Sequence, residues 1–378
     1  MKDLPKSIYI HIPFCDHICI YCDFYKMIAS CDKQDIYIDY LIKEIDLKKS
    51  MIDYHLDTLY IGGGTPSSLS FNNLNKLLTK LNEVIDLKNL KEFTIECNPI
   101  DLNNDLIDLF KSFYVNRISL VVQSFNNDKL KFLHRNHSRD IAIKAIRLLK
   151  EKGFTNISCD LIYGLNNDTI DLIKNDLDII INENIPHISC YTLIIEDKTI
   201  LNHFIVLGYI LLEDDKEAEI FAFVNDYLQK FGYNHYEVSN YAINGYESIH
   251  NLAYWSLDQY LAFGPSGSSF INHKHITNIN NLNKYYEGID KGVLNYSEDN
   301  LLNINEEMDE YVMVGLRKVN TGINKNLFKK RFGYDIIDVY GSIISLVNNG
   351  LLIDDGENIK ISEDKIYVMN SILLKIFN

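Results

Sequence analysis

Apolar residues follow two alternating rhythms along the first half of the chain. Short runs rich in β-branched and aromatic residues occur at IYIHI (8–12), TLYI (58–61), FTIE (93–96), RISLVV (117–122), ISCDLIY (157–163) and ISCYTLI (188–194), and each predicts a strand. After each of the first five the spacing becomes helical: Ile38, Leu41, Ile42, Ile45; Leu74, Leu77, Leu78, Leu81; Leu106, Leu109, Phe110, Phe113; Ala142, Ala145, Ile146, Leu149; Ile170, Ile173, Leu177, Ile180. Such alternation predicts parallel strands joined by crossover helices, in a barrel or an open α/β sheet. Gly153, just past the fourth helix, reads as a C-cap. From 201 to 300 the pattern loosens into an α+β extension. The stretch 301–378 predicts a small module of three helices, a hairpin around Asp355-Gly356 in LLIDDGENIKIS, and a last helix.

Polar residues collect where the strands end. Gly62, Gly63 and Gly64 follow the second strand, Glu96 ends the third, Gln123 follows the fourth and Asp160 lies in the fifth. Ligands of parallel α/β sheets bind at the C-terminal strand ends, so these residues share a candidate rim with the loop after strand one. Taken singly, each has a structural reading: a tight turn, a helix-facing carboxylate, a loop amide, a partnered buried acid.

Composition sets outer bounds. With 47% hydrophobic residues in 378, a sizeable core forms without disulfide staples. A net charge of -15 and a pI near 5.2 argue against wrapping nucleic acid in a bulk positive field. The opening MKDLPKSIYIHIPF lacks the features of a secretory signal, and the longest uncharged apolar run, FIVLGYILL, is too short for a bilayer. A cytoplasmic location with reduced thiols is expected.

Three of the seven cysteines sit in HIPFCDHICIYCDFYK, at Cys15, Cys19 and Cys22. A structural zinc site takes four ligands, and His11, His17 or Asp23 is near enough in sequence to supply the fourth. Three thiolates on one short loop instead suit a 4Fe-4S cube with one iron left open for another ligand. Cys31, Cys97, Cys159 and Cys190 are dispersed, three of them in strands or at strand ends, where Cys acts as a small hydrophobe.

The ordered set CxxxCxxC, GGGTPSSL, TIECNP, NRISLVVQSFNNDKL, LHRNHS, CDLIYGL and YEVSNYA resembles the radical S-adenosylmethionine family over nearly the whole chain, and within it the branch of oxygen-independent coproporphyrinogen III oxidase. The resemblance implies a partial open parallel (β/α)6 barrel with an α+β extension and a C-terminal winged-helix-like module. It implies a 4Fe-4S cluster on Cys15, Cys19 and Cys22, whose open iron chelates S-adenosylmethionine. Tyr9, Tyr21, Gly64, Thr65, Glu96, Gln123, Arg135 and Asp160 are then expected around the cofactors, with Gly62 to Gly64 letting backbone approach the methionine moiety. Arg135 also reads as a surface helix cation.

Two departures point to a sister group of that oxidase, whose members are heme chaperones. The oxidase pattern carries a fourth cysteine where this chain has Phe24, and its N-terminal segment is longer than the fourteen residues before Cys15. HNLAYW (250–255) matches that group's heme-binding motif, which makes His250 the expected axial ligand, with Tyr254 and Trp255 as a flat wall; the structural reading is that His250 and Trp255 pack a strand after YEVSNYA. The turn YGLNNDT lacks the group's usual proline and glycine, and Pro265 replaces a small residue. The expected partners are a heme acceptor protein and a transient membrane or respiratory-complex contact. Nucleic acid is not expected, because the basic run KNLFKKR is isolated in an acidic chain.

Overall fold

The computed structural model describes residues 4–209 and 211–377. Six strands run parallel in sequence order: β1 (Ser7–Ile12), β2 (Thr58–Gly63), β3 (Glu92–Cys97), β4 (Arg117–Gln123), β5 (Asn156–Tyr163) and β6 (His187–Thr192). The intervening helices are α1 (Cys31–Leu47), α2 (Phe71–Val84), α3 (Asn104–Ser112), α4 (Asn127–Phe132), α5 (Arg139–Glu151) and α6 (Ile170–Asn182). All five expected helices are present, and α4 adds a short one that six residues are too few to reveal by period. Side-chain caps start most of them: Ser70, Asn103, Asn126, Ser138 and Thr169 each accept backbone N–H bonds from the first turn. Gly153 takes a φ of +87° just after α5, as a C-cap requires.

The two faces of the sheet differ in kind. Ile8, Ile10, Ile12, Leu59, Ile61, Phe93, Ile95, Ile118 and Leu120 are buried under the helices, where Leu74, Leu77, Leu78, Leu81, Ala142, Ala145, Ile146 and Leu149 meet them. Ile170 departs from its expected burial; as the first residue after the Thr169 cap it is 38% exposed. The alternate residues Tyr9, Tyr60, Thr94, Glu96, Arg117, Ser119, Ser158 and Asp160 are the polar series of the same strands, so the opposite face is lined by hydrogen-bonding groups. Cys97, Cys159 and Cys190 are buried. Their place in the strands is that of small hydrophobes.

After β6 come α7 (Ile200–Val206), α8 (Asp214–Lys230), β7 (Asn234–Glu237), β8 (Asn240–Ala242), α9 (Ile249–Trp255), β9 (Tyr260–Phe263), β10 (Ser268–Ile271), β11 (Lys274–Asn278), α10 (Leu282–Asp290) and β12 (Tyr296–Leu301). Their strands continue the same sheet, in the order β12-β11-β10-β9-β1-β2-β3-β4-β5-β6-β8-β7. HNLAYW is therefore a helix, α9, and not a strand. β9 pairs in parallel with β1, which brings α9 beside the first barrel strands.

The last module contains α11 (Ile304–Gly315), β13 (Ile323–Asn324), α12 (Lys325–Phe332), α13 (Ile336–Val339), α14 (Ser342–Asn348), β14 (Leu352–Asp354), β15 (Asn358–Ile361) and α15 (Met369–Phe377). The hairpin around Asp355-Gly356 is β14–β15, joined by β13 in a three-stranded winged-helix-like sheet. The module's core includes Leu257 and Phe270 from the extension, so the two share apolar packing. Most of the basic run is neutralised locally: Lys325 pairs with Asp354, Lys329 with Asp335 and Arg331 with Glu307. No helix among the described residues is long and apolar enough to cross a membrane, and Ile210 of the run FIVLGYILL lies outside them.

Candidate functional site

The loop between β1 and α1 is pinned at its neck and its tip. Met27 N–H donates to Pro13 O (2.7 Å) and Cys15 N–H to Met27 O (3.0 Å). At the tip Ile20 is buried with Leu133, Ile162, Leu165, Leu193 and Leu201, and its carbonyl accepts from Leu201 N–H (2.9 Å). Held this way, Cys15, Cys19 and Cys22 face a cleft of about 120 Å³ at the C-terminal ends of the strands. Tyr21, Gly64, Thr65, Glu96, Gln123, Arg135 and Asp160 line the same cleft. Ten residues singled out in the sequence thus meet at one place.

Their local partners define what each can do. Arg135 is turned inward from the loop between α4 and α5 and is not a surface helix cation: its guanidinium donates to Asn98 Oδ1 (2.6 Å), Val121 O (2.8 Å) and Cys19 Sγ (3.3 Å). Burial pushes the Cys19 thiol up, but His17 (Nε2 to Sγ 3.9 Å) and Arg135 outweigh it and bring it to about 7. Cys15 is pushed up to about 11, chiefly by burial, against the hydroxyl of Thr65 at 3.6 Å. Glu96 accepts from Tyr60 Oη (2.7 Å) and from Gly63 N–H (3.1 Å), and burial raises its carboxyl to about 7. Asp160, 3.5 Å from Ser119 Oγ, is raised to about 6 for the same reason. Gln123 holds a left-handed φ of 68° at the end of β4, with its side-chain oxygen accepting from Tyr191 Oη (3.0 Å). Such backbone strain in a non-glycine residue is sustained where a site holds it.

The glycines are also required by their own surroundings. A Cβ at Gly62 would lie 2.9 Å from the Glu96 carboxyl, at Gly63 2.6 Å from the His11 ring, and at Gly64 2.6 Å from Phe14 O and 3.0 Å from Cys15 Sγ. Tyr60 and Glu96 at Gly62, His11 at Gly63 and the start of the cysteine loop at Gly64 exclude side chains there. His11 is likewise not a spare metal ligand. Its Nε2–H donates to Tyr25 O (2.8 Å) and its Nδ1 accepts from Tyr9 Oη (3.1 Å). Among the described residues, no three His, Cys, Asp or Glu side chains converge on a single-ion site.

A second cavity, of about 650 Å³, adjoins the cleft and shares Phe24, Gly63 and Glu96 with it. Tyr9, Phe24, Tyr25, Tyr60, Tyr254, Trp255 and Tyr260 give it an aromatic wall, completed by His11, Asp23, His250 and Glu310. Tyr9 therefore belongs to this cavity and not to the cysteine cleft. His250 is 1% exposed, and both its nitrogens are engaged, Nδ1 with Thr58 Oγ1 and Nε2 with Tyr254 Oη, each at 2.8 Å. Burial lowers its pKa to about 3, so it is neutral. Sequence reasoning missed Tyr60, Asn98 and Tyr191, the partners of Glu96, Arg135 and Gln123. Alternation along the strands was a signal for two of them, since Tyr60 and Tyr191 lie on the same face as Gly62 and Ser189.

Fold, three-cysteine loop and strand-end rim define a radical S-adenosylmethionine protein. The Radical SAM superfamily model matches residues 9–180, and a solved structure described as coproporphyrinogen III oxidase (HemN) from Escherichia coli, a radical SAM enzyme, superposes with a TM-score of 0.86 over 99% of this chain and 90% of that one, at 21% identity. Within the superfamily, the heme chaperone HemW of Lactococcus lactis is 37% identical over 99% of this chain and 98% of its own. That of Bacillus subtilis is 34% identical over 92% of each, and that of Haemophilus influenzae 32% over 98% of this chain and 97% of its own. The chain belongs to the HemW family of radical S-adenosylmethionine proteins.

Proposed function

We propose that the protein is a heme chaperone: it carries a 4Fe-4S cluster on Cys15, Cys19 and Cys22, binds S-adenosylmethionine beside it, holds heme in the aromatic cavity and transfers that heme to an acceptor protein. The observation that carries this reading is the pair of adjoining cavities with a common wall at Phe24, Gly63 and Glu96, in a chain of this family. The donor set of the cleft suits the cluster, because three thiols on one pinned loop leave a fourth corner open. When bound, the cluster supplies a single electron to the sulfonium ligand.

The chain's own groups supply binding and orientation. The Arg135 guanidinium neutralises the cysteine loop and, with Asn98, offers donors to a carboxylate. Glu96 and Asp160 suit an amino group or ribose hydroxyls, while Gln123, Thr65 and Tyr21 frame the cleft. The larger cavity falls in the usual range for a cofactor site, and its tyrosine and tryptophan rings suit a flat macrocycle. His250, Tyr254 and Trp255 form its HNLAYW side. All seven cysteines are unpaired, which suits the reducing cytoplasm. Local pairing of most of the basic run weighs against nucleic acid as the acceptor; a heme acceptor protein, with a transient membrane or respiratory-complex contact, is the partner this reading implies.

The rival reading is oxidative decarboxylation of coproporphyrinogen III. Likeness to the oxidase structure is a likeness of fold, and Phe24 stands where the oxidase pattern has its fourth cysteine. Anaerobic reconstitution followed by heme titration and a coproporphyrinogen assay on one sample decides between them. Expected are four irons lost on Cys19→Ala, a Soret band with quenching of Trp255, the only tryptophan, and no protoporphyrinogen. Robust turnover of coproporphyrinogen would transfer the assignment to the rival.

A further inference from the structure

The aromatic cavity has carboxylates on its wall and no cation to set against them. Among the described residues no lysine or arginine lines it, whereas Asp23, Glu96 and Glu310 do. Burial lowers the pKa of both its histidines, His11 and His250, and keeps them neutral. Three phenols of the wall are already engaged, Tyr9 with His11 Nδ1 (3.1 Å), Tyr60 with Glu96 (2.7 Å) and Tyr254 with His250 Nε2 (2.8 Å). Two cations lie close by without lining the cavity. The Arg317 guanidinium sits 5.2 Å from the Trp255 ring centroid, and Lys26 lines the cysteine cleft, where it donates to Cys22 O and Phe24 O. Glu96 shows how this wall treats negative charge: burial raises its carboxyl to about 7 even with two donors in place. The exposed lining residues Asp23, Phe24 and Ser268 mark the mouth.

We propose that the cavity selects among iron porphyrins by the charge on the edge that enters: heme goes in vinyl edge first and keeps both propionates in water at the mouth, while a porphyrin with a propionate on every pyrrole is rejected. The inference rests on the reading of this cavity as the heme site. Heme suits the arrangement because its two propionates are neighbours on one edge of the ring and the opposite edge is apolar. Coproheme, the iron complex of coproporphyrin III, has propionates where heme has vinyls, so whichever edge enters takes a carboxylate with it. Inside, that charge loses its water, meets no cation and shares the space with Glu96. Asp23 at the mouth opposes the heme propionates only weakly, because water and salt screen exposed charges. Leaving the wrong ligand's charge unpaired is one way a site gains selectivity. The anionic edge of heme is then also the edge that an acceptor protein meets first.

The test is a set of four titrations into the reconstituted full-length protein, with ferric heme, heme diamide, coproheme and coproheme tetraamide, read by the Soret band and by Trp255 emission. The amides keep the size of the propionates and remove their charge. Cluster absorbance and iron content report folding independently. Heme diamide is expected to bind within about threefold of heme, coproheme about tenfold or more weakly, and coproheme tetraamide to recover most of that loss. Coproheme binding as tightly as heme overturns the selection. Heme diamide binding about tenfold more weakly than heme overturns it too, since the propionates would then be held by the protein, with Arg317 or Lys26 reaching them. A tetraamide as weak as coproheme overturns the charge argument in favour of size. Absence of a Soret shift with heme in the folded protein overturns the heme reading itself, and this inference with it.

Discussion

Glu96 stands on the wall between the two cavities, and its protonation state sets how well that wall receives a cation. Burial lifts its carboxyl to about 7 from an ordinary 4.5, although Tyr60 and Gly63 both donate to it. Between these values the folded protein holds a proton that the unfolded chain has lost, so this group's contribution to stability falls as pH rises from 4.5 to 7. Ligand affinity should run the other way. A cationic S-adenosylmethionine is best received by the ionised carboxylate, so affinity is expected to rise with pH, by up to about tenfold per unit below 7. Calorimetric titration at pH 6 and 8 should show the rise in wild type and a much flatter response in Glu96→Gln. Equal affinities in wild type at both values would remove Glu96 from the cation's contacts. Glu96 was visible in the sequence as a carboxylate ending a strand; its shared place between two cavities was not, because that depends on the cysteine loop and α9 arriving on either side.

Among the secondary elements, α9 is the one whose placement depends most on a distant residue. Its N-terminus is held by Glu92 of β3, which accepts from Ile249 N–H (2.6 Å) and Ser248 Oγ (3.1 Å). A carboxylate at a helix N-terminus satisfies donors that the helix itself leaves unpaired. Tyr236 adds its hydroxyl oxygen as acceptor for Ser248 N–H (3.1 Å), and in turn meets His187 Nε2 (2.8 Å). With Glu92→Ala, the buried hydroxyls of Ser248 and Thr94 and the part-buried Ile249 N–H lose their partner, at roughly 1–3 kcal/mol for each buried donor. A lowered denaturant midpoint is expected, together with weaker heme binding, while the cluster content on Cys15, Cys19 and Cys22 stays at the wild-type level. Loss of the cluster in a folded Glu92→Ala protein would show that α9 supports the cysteine cleft as well.

Across the whole molecule, the C-terminal module closes one side of the aromatic cavity through α11, whose Glu310 and Val314 line it. Two carboxylates of α11 tie it to the β10–β11 hairpin and to α12. Glu307 pairs with His273 (2.5 Å) and Arg331 (2.9 Å), and Glu310 with His275 (2.8 Å). The bond to Glu310 raises the pKa of His275, with burial acting against it. The stabilisation from that pair is therefore complete below His275's ordinary value of 6.5 and is lost as pH rises through the raised folded value. Hydrogen exchange in Ile304–Gly315 is expected to quicken, after correction for intrinsic rates, between pH 6 and 8.5. His275→Gln should abolish most of the difference. An unchanged wild-type profile would mean that Glu307 and the shared apolar core hold the module alone.

By itself the sequence determined the alternation of strands and helices, the five helical faces, the terminal hairpin and the polar rim at the strand ends, whereas Tyr21, Thr65 and Arg135 were expected in the cysteine cleft only through the family resemblance. Those features are local: period-2 and period-3.6 patterns, caps and strand-end residues are fixed by neighbours a few positions apart. Tertiary structure decided the rest. It turned Arg135 inward onto Cys19, gave the glycines at 62–64 Tyr60, Glu96, His11 and the cysteine loop as close neighbours, and moved Tyr9 from the cleft to the neighbouring cavity. It also made HNLAYW a helix with His250 buried behind Tyr254. Each of these depends on groups far apart in the chain, as Thr58 is from His250 and Asn98 from Arg135. A buried polar group takes whatever partner the fold brings to it, and sequence spacing does not name that partner.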